Sequence, residues 1–290
     1  MGLFDPFIFH RRITRPIKMC VFNNMTFAPY IDVTSYPLFD INRGPDLNSY
    51  SLGFITASVD NHPCWGGYYD VTSNYYRSII ETAHSKGKNL ICSFGGASGR
   101  ELATVLNDDK LYKAYKQVID TYNFKKLDFD IEGGALGNIK ANINRGKVIN
   151  KLMTEYGLEI SVTVPVSHDG LDNDALNLIK VTPCSLVNIM AMDYGNGFNK
   201  MGEFAISAAK AARAQTGKDI GITVMIGKND VLGEIFTLDD ARKVKAFSKA
   251  TPWIKRLSIW SLNRDTGLKG SLDLSSQIAQ RPWEFSSIFK

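Results

Sequence analysis

The chain has 290 residues, of which 44% are hydrophobic and 22% are charged, so the sequence predicts an ordinary globular protein with a sizeable core. No stretch approaches the roughly 18–20 consecutive apolar residues of a membrane helix, which excludes membrane insertion. The net charge of +5 is mildly basic, but the lysines are scattered and form no long run. The charge pattern therefore gives no reason to expect a nucleic-acid partner.

The amino-terminal segment and the cysteines each exclude one kind of feature. In MGLFDPFIFHRRITRP the positive charges follow the apolar residues, which is the reverse of a secretory signal. Pro6 also stands where a myristoylation motif has Ser or Thr. Cys20, Cys64, Cys92 and Cys184 form no C-x-x-C pair, so we expect free thiols, no metal site and no cofactor.

Short apolar runs rich in β-branched residues recur along the chain. They are Lys18–Phe22, Leu52–Ala57, Asn89–Phe94, Leu127–Ile131, Leu158–Val164, Leu186–Met192, Ile220–Ile226 and Leu257–Leu262. Their starts are roughly 28–38 residues apart, which is the size of one strand–helix–strand unit. Two segments between the runs have helical periodicity, with Tyr76, Ile80 and Ala83 on one face and Val148, Leu152 and Tyr156 on another. Thr237–Asp240 predicts a capping box that begins a further helix.

Eight alternating strand and helix units predict an α/β fold, a single (β/α)8 TIM barrel that forms one domain over residues 1–290. A doubly wound sheet would also alternate, but it has a glycine-rich turn after its first strand. Here the predicted first strand is followed by Asn23-Asn24-Met25-Thr26, without glycine. The sequence therefore favours the barrel.

The segment Leu127–Gly134 contains three carboxylates at alternate positions, Asp128, Asp130 and Glu132. Because successive side chains of a strand face opposite sides, these three point into the barrel and the apolar residues between them point to the helices. Buried like charges cannot all ionise cheaply, so the pKa of at least one carboxyl is expected to rise. Such a carboxyl is a proton donor near neutral pH.

The pattern Asp128-x-Asp130-x-Glu132 resembles the signature of glycoside hydrolase family 18, the chitinases and related endo-N-acetylglucosaminidases. Three further segments are similar to that family: Ser93-Phe94-Gly95-Gly96, Met190-Ala191-Met192-Asp193-Tyr194 and Trp260. Each lies at the carboxyl end of a predicted strand, where barrel enzymes have their active sites. The segments Tyr30–Thr34 and Trp65–Gly67 resemble the bacterial branch of the family.

The resemblance implies a retaining, substrate-assisted mechanism, in which the substrate itself supplies the nucleophile. By this resemblance Glu132 is the catalytic acid, Asp130 accepts a hydrogen bond from the acetamido N–H of the sugar, and Asp128 shares a proton with Asp130. The residues that the resemblance implies for substrate binding are Ser93, Gly96, Met190, Met192, Asp193, Tyr194 and Trp260, with Trp65 as a second stacking platform.

Two positions depart from the family pattern. The signature often begins with another Asp and a Gly, where this chain has Lys125 and Lys126. We expect Lys125 to remove one carboxylate from the ladder and to influence Asp128. Many members have Tyr where this chain has Met192, so we expect Tyr194 to take over its hydroxyl contact.

The resemblance implies endo-hydrolysis of chitin and chitooligosaccharides by one catalytic domain without a separate chitin-binding module. An endo-β-N-acetylglucosaminidase acting on N-glycan cores and an inactive chitin-binding lectin stay open as alternatives, and a barrel enzyme acting on a phosphorylated small molecule is a weaker one. Only Gly227–Phe236 separates the seventh strand from the next helix, which is too short for the α+β insertion of several relatives and predicts an open cleft. We expect a monomer that acts on an extracellular substrate.

Overall fold

The computed structural model describes residues 25–290 and shows a closed barrel of eight parallel strands. The strands are Thr26–Phe27 with its continuation Tyr30–Asp32, Ser49–Ala57, Asn89–Gly95, Lys126–Asp130, Glu159–Pro165, Leu186–Met190, Asp219–Met225 and Ile254–Trp260. The two parts of the first strand close the ring, because Thr26 pairs with Arg256 of the eighth strand and Tyr30 pairs with Ser51 of the second. The predicted (β/α)8 fold is confirmed.

Seven of the eight predicted strands overlap the observed ones. The predicted run Lys18–Phe22, which contains Cys20, lies outside the described residues. The first place in the described barrel belongs to Thr26–Phe27 and Tyr30–Asp32. The other three cysteines have free thiols.

The strands are connected by helices packed around the barrel. The described helices are Arg77–Ser85, Leu102–Val105, Asp108–Tyr122, Gly133–Leu136, Ile139–Tyr156, Asn173–Val181, Met201–Thr216, Leu238–Lys249 and Glu284–Phe289, with a 3-10 turn at Leu262–Arg264. The connection from the first to the second strand, residues 33–48, contains no helix. No helix within residues 25–290 combines the length and the apolar character needed to span a bilayer.

The helices begin and pack as their sequences predict. Ile80 is buried in the helix Arg77–Ser85, and Val148 and Leu152 are buried in the helix Ile139–Tyr156. The capping box is present: the Asp240 N–H donates to Thr237 Oγ1 over 3.1 Å, and the Thr237 N–H donates to Asp240 Oδ2 over 2.9 Å. Such a cap stabilises its helix by about 1 kcal/mol.

Two short antiparallel ribbons lie at the carboxyl end of the barrel. Pro63–Trp65 pairs with the second strand and with Tyr69–Asp70. Gly227–Lys228 pairs with Ile235–Phe236 directly after the seventh strand. The helix Leu238–Lys249 follows that ribbon at once, so the prediction that no α+β domain is inserted there is confirmed.

Candidate active site

The fourth strand places carboxylates on the inner face of the barrel, as its alternation predicts. Asp128 and Asp130 are buried inside the barrel. Phe129 lies between them in sequence but packs outward against Tyr115 of the helix Asp108–Tyr122, with ring centroids 5.3 Å apart. Glu132 follows the strand and is half-buried. The three carboxylates therefore form a ladder that leads from the core to the open end of the barrel.

Asp128, the innermost carboxylate, is held by side chains from several strands. Four hydroxyl groups donate to it over 2.5–3.0 Å: those of Tyr30, Ser93, Ser161 and Thr163. The guanidinium of Arg256 donates to Ser161 Oγ and lies 3.8 Å from Asp128 Oδ1. Both oxygens of Asp128 are thus used as acceptors by neighbouring strands, and this network fixes the base of the ladder.

Asp130 and Glu132 form a pair at the outer end of the ladder. Their side chains share a hydrogen bond, and Asp128 acts on Asp130 through its charge. Burial raises the pKa of Asp130 well above its ordinary value, and the charges of Glu132 and Asp128 raise it further. Burial also raises the pKa of Glu132, with an added contribution from Asp193, although the hydrogen bond from Asp130 opposes it. The expected rise in carboxyl pKa is therefore present.

A cavity of about 290 Å³ opens above this pair at the carboxyl ends of the strands. Residues expected to bind substrate that line it are Met190, Met192, Asp193 and Trp260. The indole of Trp260 stacks on the ring of Phe54, with centroids 5.5 Å apart and planes at 28°. One oxygen of Asp130, Oδ1, is buried and has no hydrogen-bond partner among the described residues. The cavity thus combines an apolar floor with an unsatisfied acceptor and a half-buried acid.

Ser93 and Gly96 do not line the cavity and lie behind it. Ser93 is fully buried and its hydroxyl donates to Asp128 over 2.8 Å, so its prediction as a substrate contact is wrong. Gly96 has a φ of +84°, and a Cβ there would lie 2.7 Å from the ring of Phe54. Gly95 is equally constrained, because a Cβ would lie 2.0 Å from the carbonyl oxygen of Asp130. The two glycines allow the third strand to approach the floor and the ladder closely.

Trp65 does not lie in the cavity, and its prediction as a stacking platform is wrong. Its side chain is 0% exposed, and its Nε1–H donates to the hydroxyl of Tyr122 over 2.9 Å. The short strand Pro63–Trp65 turns this indole toward the helix Asp108–Tyr122. Trp65 is therefore a core residue that anchors the ribbon to the helix layer.

Tyr194 is also turned away from the cavity, contrary to the expected hydroxyl contact. Asp193 has a φ of +51°, which redirects the chain after the sixth strand. The ring of Tyr194 packs edge-on against Phe204 at 5.4 Å, and its N–H donates to the buried carboxylate of Glu234 over 2.9 Å. The cavity wall at this point consists of Met192 and Asp193 without a tyrosine hydroxyl from Tyr194.

Several residues of the site were not predicted, among them Tyr30, Phe54, Arg256 and Arg264. Tyr30 and Phe54 belong to apolar or aromatic strand segments whose inward positions alternation could have indicated. Arg256 carried a weak signal, since it is a charge in an otherwise apolar strand. Arg264 ends the short 3-10 turn Leu262–Arg264, where no local sequence pattern marks it. Among the described residues no group of three or more His, Cys, Asp or Glu is arranged to hold a metal ion.

Comparison with known proteins shows similarity to chitinases. The chain is 30% identical over 306 aligned residues to a probable bifunctional chitinase/lysozyme of Escherichia coli, covering 91% of this chain and 34% of that protein. It is 31% identical over 276 residues to endochitinase 11 of Metarhizium anisopliae, covering 82% of this chain and 52% of that protein. No family model matches the chain.

The solved structures agree in fold and in extent. The catalytic domain of a hyperthermophilic chitinase from Pyrococcus furiosus superposes with a TM-score of 0.79 and 28% identity, covering 92% of this chain and 94% of that one. A family 18 chitinase from Flavobacterium johnsoniae has the same fold, with a TM-score of 0.64 and 13% identity over 92% of this chain and 95% of that one. The chain is therefore similar to chitinases in sequence and to family 18 chitinase domains in fold. It spans about a third of the length of the Escherichia coli protein and about half of the length of the Metarhizium anisopliae protein.

The first departure from the family 18 signature lies outside the site. Lys125 is exposed and precedes the fourth strand, whereas Asp128 is fully buried. Lys126, the next residue, forms a 2.8 Å ion pair with Glu159 of the neighbouring strand. The expectation that Lys125 replaces a member of the buried ladder is wrong, because that position lies at the amino end of the strand.

Proposed function

We propose that this chain is a glycosidase that hydrolyses β-1,4-linked N-acetylglucosamine polymers, with Glu132 as the acid. The observation that carries the proposal is the hydrogen-bonded pair of Asp130 and Glu132 beneath a cavity in which Asp130 Oδ1 has no described partner. An unsatisfied buried acceptor costs about 1–3 kcal/mol. A substrate N–H that reaches this oxygen recovers that cost, and an N-acetylated sugar carries such a group beside its reactive carbon.

The proposed reaction is substrate-assisted and proceeds with retention. Glu132 donates its proton to the glycosidic oxygen as the bond from that oxygen to the anomeric carbon breaks. The acetamido carbonyl oxygen of the same sugar forms a bond to the anomeric carbon, which gives an oxazolinium ion. Asp130 accepts a hydrogen bond from the acetamido N–H and offsets the positive charge of the ion. Water then attacks the anomeric carbon, the bond to the carbonyl oxygen breaks, and the water proton passes to Glu132.

The cavity supplies the binding side of this proposal. Trp260, supported by Phe54, offers an aromatic face to the sugar ring at the reaction centre. Met190, Met192 and Asp193 line the wall beside the ladder, where the acetamido group lies in this mechanism. Fixing that group close to the anomeric carbon is a proximity effect, which contributes to rate without any further protein nucleophile.

The named relatives support a chitin substrate over the alternatives. The two curated relatives are named as chitinases, and active-domain variants of a Pyrococcus furiosus chitinase were solved with chito-oligosaccharides, at 27% identity. None of these names indicates an endo-β-N-acetylglucosaminidase of N-glycans. A lectin would have no use for the acid, whereas Glu132 is present with a raised pKa.

We further infer endo-type, non-processive cleavage in an open cleft. The ribbon Gly227–Lys228/Ile235–Phe236 is too small to roof the cavity in the way an inserted domain would. A polymer in an open groove leaves after one cut. An early product mixture from insoluble chitin without a constant dimer excess supports this inference, and a strong, constant dimer excess contradicts it.

The decisive experiment offers the protein chitin oligomers and a high-mannose N-glycan in parallel. We expect cleavage of the oligomers, with NMR of the earliest products showing the β-anomer. A thiazoline analogue of the cyclic intermediate should inhibit. Cleavage of the N-glycan alone would establish the alternative activity, and early α-anomer would rule out the substrate-assisted route. We propose that the chain acts as a monomeric, single catalytic domain on extracellular polymer.

A further inference from the structure

Arg264 is a buried cation that bonds to main-chain carbonyls in place of a carboxylate. Its side chain is almost fully buried, yet it contributes to the lining of the active-site cavity. Nε donates to the carbonyl of Leu272 over 2.6 Å, and the two terminal nitrogens donate to those of Trp260, over 3.0 Å, and Lys228, over 2.6 Å. A guanidinium presents its N–H groups in a fixed plane, so it joins three acceptors with one orientation.

The three acceptors belong to the three segments on one side of the cavity. Trp260 ends the eighth strand and carries the aromatic floor. Lys228 belongs to the ribbon that follows the seventh strand, and Leu272 itself lines the cavity. Main-chain bonds reinforce the junction: Ser276 N–H donates to the Arg264 carbonyl, and Lys228 N–H donates to the Ser276 carbonyl, each over 2.9 Å. The Arg264 side chain thus forms a hydrogen bond with each of the three segments.

The charge of Arg264 is maintained in this buried position. Burial lowers its pKa to about 10, while the carboxylates of Asp230, Asp193 and Asp273 oppose that shift. The side chain therefore remains charged at neutral pH, and charge strengthens its hydrogen bonds to the carbonyls. Lysine keeps the charge but has one nitrogen at the end of a flexible stem, so it cannot reproduce the three-way geometry.

We propose that Arg264 is a positioning residue that braces one side of the substrate cleft and holds Trp260 preorganised for sugar binding. The proposal rests on the proposed function for its substrate, but the brace itself is a property of the free protein. A preorganised platform lowers the cost of binding, because the floor and the wall need not be ordered when the sugar arrives. The role therefore concerns binding more than the chemical step.

The test compares Arg264→Lys with Arg242→Lys, a matched control on the surface of the helix Leu238–Lys249. Hydrogen exchange of the free proteins measures the segments 226–236 and 270–276, and initial rates on N-acetylglucosamine tetramer measure kcat and KM. In Arg264→Lys we expect faster exchange in both segments, a KM raised about tenfold, equivalent to about 1.4 kcal/mol, and a kcat within about threefold of the parent. The control should change neither property.

The possible outcomes test the positioning role of Arg264 separately from the proposed cleavage of chitin oligomers. Unchanged exchange and KM in Arg264→Lys overturn the proposal, and so does a loss confined to kcat. If the parent protein cleaves no chitin oligomer, the proposed function fails, while the exchange result still decides whether Arg264 holds the two segments. If Arg264→Lys does not fold, the parent supplies the answer: slow exchange at the amides of Lys228 and Ser276 supports the brace, and exchange as fast as in the exposed loop 195–199 overturns it.

Discussion

Glu132 and Asp130 share a hydrogen bond at the open end of the barrel, and burial raises the pKa of both side chains. The shared bond places the acid next to a carboxylate whose second oxygen has no hydrogen-bond partner among the described residues. In the proposed mechanism the pair therefore performs two tasks at once, with proton donation by one member and alignment of the substrate acetamido group by the other.

Glu132→Gln should remove turnover and leave binding largely intact, because the amide is nearly isosteric and cannot donate a proton to the glycosidic oxygen. Loss of a general acid lowers the rate by about 10²–10⁴. Reducing-end release from chitin oligomers measures the rate, and titration calorimetry measures binding. Glu81→Gln, at an exposed position of the helix Arg77–Ser85, is the control. A kcat near that of the parent would refute the assignment of the acid.

Asp193→Asn should move the alkaline limb of the pH–rate profile to lower pH. The Glu132 pKa is raised, so the acid stays protonated to a higher pH than an ordinary glutamate and is lost as pH rises through that pKa. The charge of Asp193 contributes to the rise, and the amide removes this contribution. The amide oxygen still accepts from the Val231 N–H, as Asp193 Oδ1 does over 2.9 Å. Profiles of kcat/KM check the shift. Asp109→Asn, on a distant helix, should leave the limb in place, and an upward shift in Asp193→Asn contradicts the argument.

Trp260→Ala should weaken sugar binding by about tenfold, since an aromatic contact contributes about 0.5–1.5 kcal/mol beyond the area it buries. The ring of Phe54 then loses its stacked partner as well. Fluorescence or calorimetric titration of N-acetylglucosamine tetramer measures the affinity. An unchanged Kd would exclude Trp260 as the platform.

For Trp65→Phe we expect the opposite of the Trp260→Ala result, namely a loss of stability without a loss of sugar affinity. A motif search would place this tryptophan beside the substrate. The change removes the hydrogen bond to the Tyr122 hydroxyl and part of a fully buried side chain, so the free energy of unfolding should fall by about 1–3 kcal/mol. Sugar affinity should be unchanged, because the indole does not line the cavity. Denaturant unfolding and the same sugar titration separate the two effects. Weaker sugar binding with an unchanged free energy of unfolding would show that Trp65 contributes to the cleft.

Gly96→Ala should destabilise the protein more than Gly195→Ala, although both residues have a positive φ, +84° and +81°. A Cβ at Gly96 meets the Phe54 ring at 2.7 Å, whereas a Cβ at Gly195 meets nothing within 4 Å. The control therefore carries only the backbone cost, about 1–2 kcal/mol. Displacement of Phe54 should also raise KM in Gly96→Ala alone. Equal unfolding midpoints in the two variants would show that the ring simply moves aside.

The sequence was sufficient for the features that depend on local pattern. Strand runs and the inward alternation of Asp128, Asp130 and Glu132 follow from a period of two, and the cap at Thr237 follows from a four-residue motif. Because barrel loops converge at the carboxyl ends of the strands, Trp260 could also be placed at the cavity before its neighbours were known.

The remaining features depend on contacts between distant parts of the chain. Tyr194 turns away because Asp193 adopts a positive φ, and Trp65 turns inward because of the way its ribbon meets a helix. The hydroxyl groups around Asp128 come from the first, third and fifth strands, so no single segment reveals that network. Arg264 has the least local signal, since all three of its acceptors are main-chain carbonyls.

The small ribbon after the seventh strand has a consequence for how substrate is found. A roofed tunnel must be threaded from a chain end, so the number of starting points on a fibre equals the number of free ends. A cleft without a roof accepts a polymer sideways, at any accessible link. Under the proposed function the density of productive encounters then scales with the exposed length of the polymer, and shortening its chains before digestion should not raise the initial rate per unit mass.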